Sequence, residues 1–240
     1  MKRMRFIILL WILVASPFGM LYAEEKEVFL QENFYSLANW KPLSFEKVPK
    51  QSDYVVIPDP DGGMMLKLES EKGASALISK KTFSVKDARF ISWNWRVEKF
   101  PPNADPRTKS GDDYAIRVYF MFEYQPDNSP FLTDIKYRMF KTLYGEYPPD
   151  SSLNYVWSKV ESKGSAFESP YTDRSKIVVL QSGQGAGERW KAEKVDLLAD
   201  YQAQFGKAPP ERFRLGIMTD SDNTEGKTHA FIKSITAFSK

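Results

Sequence analysis

The chain has no cysteine, so disulfides, thiolate nucleophiles and zinc–sulfur sites are excluded. It has a single histidine, His229, so no multi-histidine metal centre can form. A Ser-His-Asp triad would have to use His229, and no G-x-S-x-G elbow accompanies it. Long apolar runs are also missing beyond the first two dozen residues, which leaves nothing internal to span a bilayer. Excess charge is missing too, once the N-terminus is considered. Lys2, Arg3 and Arg5 precede an apolar run from Phe6 to Ala15, a break at Ser16, Pro17 and Gly19, and a small residue at Ala23. These are the three parts of a secretory signal, expected over residues 1–23 and removed on export. The whole chain has 34 basic and 31 acidic residues. Losing those three basic residues leaves 31 of each. A neutral mature chain has no electrostatic footprint for nucleic acid.

Aromatic residues are plentiful, at 15% of the chain. They favour pleated surfaces and bury large areas, so a thick core held by burial alone is expected. Short apolar segments alternate with turn signals such as Asp61-Gly62-Gly63, Pro101-Pro102, Pro148-Pro149 and Glu225-Gly226. They predict strands near 27–34, 53–58, 64–69, 74–81, 89–97, 113–123, 152–158, 174–181, 189–194, 212–220 and 228–238. The expected class is all-β and mainly antiparallel, a jelly roll or β-sandwich in one domain over 24–240. Two short covering helices are expected. One spans 130–144, with Leu132, Ile135, Met139 and Leu143 at helical spacing. The other spans 195–205 and stops at Gly206.

Two strands show a clear period of two. In 89–97, Ile91, Trp93, Trp95 and Val97 share a face, with Ser92, Asn94 and Arg96 opposite. In 113–123, Tyr114, Ile116, Val118, Phe120 and Phe122 share a face, with Asp113, Arg117 and Tyr119 opposite. If the two strands pair, Asn94, Arg96, Asp113, Arg117 and Tyr119 form one polar sheet face able to contact a ligand. The competing reading is a solvated face laced with cross-strand ion pairs. Asp113 and Arg117 would stand roughly 13 Å apart along their strand, so each needs a partner from elsewhere.

Other motifs carry less. Gly183 to Gly187 lacks the following helix that a phosphate loop requires. Asp220 to Gly226 alternates oxygen donors, but its glycine is one residue late and its twelfth position is Phe231, so it is no EF-hand. A structural calcium held by Asp220 and Asp222 is the remaining metal expectation. Trp40, Trp157 and Trp190 lie outside the densest aromatic strands. Each could be core or a stacking platform for a sugar ring.

Taken together, Ser92-Trp93-Asn94-Trp95-Arg96-Val97, Pro102, Asp105, Lys109 and Gly111 to Tyr119 resemble a bacterial family, the domain of unknown function 3047. So do Tyr155-Val156-Trp157, Ser169-Pro170-Tyr171, Ser182-Gly183, Trp190, Asp200-Tyr201, Phe205-Gly206 and Thr219 to Thr224. The resemblance covers residue 30 to the end. It implies one exported domain, and since the family has no established activity no catalytic residue is carried over from it. The overall pattern is also similar to jelly-roll carbohydrate-binding modules. The expected function is a periplasmic or secreted binding module for a glycan-like envelope ligand, without a transmembrane segment after signal cleavage. Two alternatives stand beside it. One is a polysaccharide hydrolase or lyase using Asp112, Asp113 or Asp220, and the other is a structural envelope protein.

Overall fold

The computed structural model describes residues 27–126, 137, 138, 141, 147–183 and 189–239. The expected signal segment and nearly all of the expected helix at 130–144 lie outside them. Fourteen strands and one helix are described: β1 (Val28–Glu32), β2 (Trp40–Ser44), β3 (Asp53–Pro58), β4 (Met64–Glu71), β5 (Ala74–Ser79), β6 (Phe83–Ser84), β7 (Phe90–Lys99), β8 (Arg117–Phe122), β9 (Ser151–Ser158), β10 (Ala166–Ser169), β11 (Thr172–Ser182), β12 (Lys191–Asp196), α1 (Leu197–Phe205), β13 (Arg212–Asp220) and β14 (Lys227–Phe238). They form a two-sheet, mostly antiparallel β-sandwich. A six-stranded sheet runs β12-β7-β14-β4-β3 with β1 also on β14. An eight-stranded sheet runs β10-β11-β9-β8-β13-β5-β2 with β6 also on β13. Strands β9 and β11 pair in parallel. The second expected helix is found as α1, and of the first the described residues 137, 138 and 141 are helical.

The strands most visible in the sequence face each other across the core. On β7, Ile91, Trp93, Trp95 and Val97 point inward and are at most 1% exposed. On β8, Val118, Phe120 and Phe122 do the same from the other sheet. A run of rings joins the layers. Trp93 meets Tyr155 of β9 at 5.9 Å, Tyr155 meets Phe120 at 5.6 Å, and Phe120 meets Phe213 of β13 at 5.5 Å. Each such contact adds about 0.5–1.5 kcal/mol beyond simple burial. Helix α1 begins at an Asp196 cap, whose carboxylate accepts from the Ala199 amide at 3.1 Å. It ends at Gly206 with φ 66°, the left-handed conformation expected from the sequence.

A side chain at position 216 would collide with a neighbouring ring unless that ring shifts. A Cβ there would stand 2.7 Å from Cζ of Tyr119, whose ring lies over Gly216 on the neighbouring strand. Gly216→Ala is expected to cost about 1–3 kcal/mol by overpacking. Urea denaturation checks this, and an unchanged midpoint would show that the Tyr119 ring moves freely.

Candidate functional site

The shared polar face expected for β7 and β8 does not form. The two strands belong to different sheets, so Asn94 and Arg96 look out from one side of the sandwich while Arg117 and Tyr119 lie on the other. The physical reason lies in their inner faces. Both strands carry heavy aromatic or apolar rows, and these rows bury each other by face-to-face packing rather than by lying side by side. Tyr119 is only 8% exposed and packs on Gly216, Ala76 and Ile78.

Arg117 is buried in a knot of carboxylates. Its Nε donates to Asp220 Oδ1 at 3.2 Å, and Nη2 donates to Asp220 Oδ2 as well as to the Asp112 carbonyl at 2.5 Å. Nη1 lies 3.4 Å from Asp112 Oδ1. The guanidinium also stacks over the Tyr114 ring, 4.3 Å from its centroid. The partner missing from its own strand is thus supplied across the sheet by β13. Asp113 sits before β8 begins and serves a different group. Its carboxylate accepts from the Asn223 amide and side chain, at 3.3 and 3.0 Å, and from the Thr224 amide at 2.6 Å. It thereby clamps the loop after β13.

Asp113, Asp220 and Asp222 bring carboxylate oxygens within 4.8 Å of one another, the arrangement from which a cation could be held. Arg117 already supplies a fixed positive charge to Asp220, and backbone amides already serve Asp113. Burial pushes the Asp220 carboxyl up to about 7 against the pull of Arg117, and Asp113 and Asp112 push it the same way as burial. Burial likewise raises Asp112 and, with Asp113, Asp222. A carboxyl raised in the folded state favours folding when protonated. The cluster's contribution is therefore complete below pH ~4, the unfolded Asp range, and is lost as pH climbs through the folded values. The stability of the wild type relative to Asp220→Asn should fall between about pH 4 and pH 7. Urea titrations at several pH values check this. Parallel pH profiles would mean that Asp220 is ionised throughout.

The outer face of the six-stranded sheet holds a different constellation. Of the five described tryptophans, Trp40, Trp93, Trp95 and Trp157 are buried and only Trp190 is partly exposed. Trp190 immediately precedes β12 and reaches over the neighbouring strands. The guanidinium of Arg96 lies 5.2 Å from its ring centroid and the ammonium of Lys233, on β14, lies 4.2 Å away. Arg96 also covers Phe231 at 4.3 Å. Cross-strand register puts Arg96 opposite Phe231, and Asn94 between Lys233 and the small Ala192. Hence Asn94 and Arg96, two of the five expected contact residues, do share a surface, with Trp190, Phe231 and Lys233. Sequence reasoning named Trp190 as one of three unassigned tryptophans and missed Phe231 and Lys233.

A cleft of about 590 Å³ opens on the outer face of the eight-stranded sheet. Leu43, Ile78, Met121, Tyr124 and Tyr147 contribute to its lining, and its size suits a small ligand. None of the five expected contact residues lines it.

Residues 38–236 match the family model described as "Protein of unknown function (DUF3047)". The chain belongs to the DUF3047 family. In this family member, several segments that carry the resemblance meet at the Arg117 knot: Gly111 to Tyr114, Tyr171 and the loop from Asp220. The Tyr171 hydroxyl lies 3.0 Å from both the Lys109 carbonyl and Asn223 Oδ1, sharing its one proton between them, and ties the loop before β8 to the loop after β13. No curated protein matches the sequence. Solved structures with a similar fold include the enzymatically active domain of bacteriophage CBA120 tailspike protein 4. It is 9% identical over 86% of this chain and 20% of that one, with a TM-score of 0.38. The chain thus spans about a fifth of that protein. TmCBM61 in complex with β-1,4-galactotriose is 10% identical over 87% and 94% of the two chains, also at 0.38. Endoglucanase 3 of Trichoderma harzianum, from family GH12, is 9% identical over 90% and 97%, again at 0.38. Likeness this distant carries no argument about what the family member binds or does. Among the described residues, no helix is long and apolar enough to cross a membrane.

Proposed function

We propose that this DUF3047 protein is an exported, non-catalytic binding module that takes a glycan-like ligand on the outer face of its six-stranded sheet, beside Trp190. The observation that carries this reading is the placement of Trp190. It is the partly exposed indole among the described tryptophans, and it lies over Arg96 and Lys233 rather than in the core. Two cationic side chains against the ring restrict its orientation, so binding fixes it at little entropic cost. Its exposed part is open to the C–H face of a sugar. Asn94, half-buried between Ala192 and Lys233, supplies an amide that both donates to and accepts from hydroxyls.

The carboxylates considered for acid–base chemistry support this reading by their seclusion. Asp112, Asp113 and Asp220 are 3%, 1% and 1% exposed and already hold protein donors, so a polymeric substrate has no route to them. The test is affinity electrophoresis of the purified protein in gels containing neutral or acidic polysaccharides, beside Trp190→Ala. Retardation of the wild type and free migration of the variant is the expected result. Equal migration of both in every gel would overturn the proposal.

A further inference from the structure

We infer that the ligand of the Trp190 face is an electrically neutral glycan; this rests on the binding reading above and sharpens it. The face is rich in charge, yet each of the two cations in contact with the indole has a carboxylate partner. Arg96 Nη2 lies 3.2 Å from Glu98 Oε1 on the same strand. Lys233 is paired with Asp59, which is 5% exposed. Lys67, beside Phe231 on β4, lies 2.7 Å from Glu69. His229 sits between two carboxylates, 2.9 Å from Glu98 and 3.8 Å from Glu69.

Two of these pairs are held firmly. Burial acts to raise the Asp59 carboxyl, but hydrogen bonds from Lys233 and the Asp61 amide keep it below its ordinary value. The hydrogen bond from Lys67 does the same for Glu69. A carboxylate or sulfate group on a sugar would have to displace Glu98 or Asp59 from its cation and leave that acid without a counter-charge. A hydroxyl need displace nothing. Beside Lys233 in the register, the Asn94 amide has no side-chain hydrogen bond among the described residues and carries no charge. The Asn94 amide is thus an uncharged polar group open to a ligand beside the stacking surface.

The test is isothermal titration with a panel of neutral polysaccharides and of polysaccharides bearing uronate or sulfate groups, at low and high sodium chloride, on wild type, Trp190→Ala, Arg189→Ala and Glu98→Gln. The expected result is Trp190-dependent binding of a neutral polymer whose Kd changes less than about twofold from 50 to 500 mM salt, because screening has no net charge pair to weaken. Arg189, exposed and adjacent in sequence, should be replaceable by alanine without change in Kd. Glu98→Gln, which frees Arg96, should gain salt-sensitive affinity for the acidic polymers. Trp190-dependent binding of an acidic polymer by the wild type, falling steeply with salt, would overturn neutrality and leave the binding reading standing. No Trp190-dependent binding to any polymer would overturn both.

Discussion

Replacing Arg117 by methionine is expected to destabilise the protein by about 3–5 kcal/mol, the usual consequence of removing one partner from a buried ion pair. Arg117 is 7% exposed, and its two acidic partners are 3% and 1% exposed. Burial pulls the guanidinium toward deprotonation, but Asp112 and Asp220 hold it charged, well above its ordinary value. Without it, Asp220 keeps only the Tyr114 amide as donor, and Asp113 and Asp222 remain nearby. For a domain of this size the loss corresponds to a drop in Tm of roughly 6–20 °C. Combining Arg117→Met with Asp220→Asn should recover part of it, since the orphaned carboxylate goes as well. Arg107 provides the contrast. It pairs with Glu161 but is 56% exposed, so Arg107→Ala should leave the urea midpoint close to wild type. Equal effects of the two single variants would show that burial is not what makes the Arg117 cluster matter.

The second large effect is on binding. Trp190→Ala is expected to weaken glycan affinity at least about 30-fold, the scale of an aromatic hot spot worth 2 kcal/mol or more. Trp190→Phe keeps an apolar ring over Arg96 and Lys233 and should retain an intermediate affinity. The indole is partly exposed and outside the core cluster, so both variants should keep the wild-type circular dichroism and a Tm within a few degrees. Loss of affinity with an intact fold is the discriminating outcome. A variant that loses affinity only by unfolding would say nothing for a platform.

Much of the sandwich was legible in the residues. The inner row Ile91, Trp93, Trp95 and Val97 is set by alternation alone, and the end of α1 follows from Gly206. What alternation cannot say is which strands are neighbours. A strand with one apolar face satisfies it equally by pairing beside another or by packing against it, and β7 and β8 pack. Strands β2, β6 and β10 were missed because they lack the signal. Strand β2 carries Pro42 at a sheet edge, β6 has two residues, and β10 is a four-residue edge strand. The Arg117 knot was half visible. The need for a partner off the strand followed from spacing, but Asp220 as that partner depends on β13 lying next to β8. Trp190 could not be separated from Trp40 and Trp157 by sequence, since only tertiary packing decides which of the three rings stays at the surface.

The proposed ligand site is the outer face of the six-stranded sheet. A ¹⁵N-resolved NMR titration with a neutral oligosaccharide locates the ligand directly. Shifts are expected at the Trp190 indole N–H, the Asn94 side-chain amide and the backbone amides of Arg96, Phe231 and Lys233. Shifts confined to Leu43, Ile78, Met121 and Tyr124 would place the ligand in the cleft on the opposite sheet and contradict the proposed site.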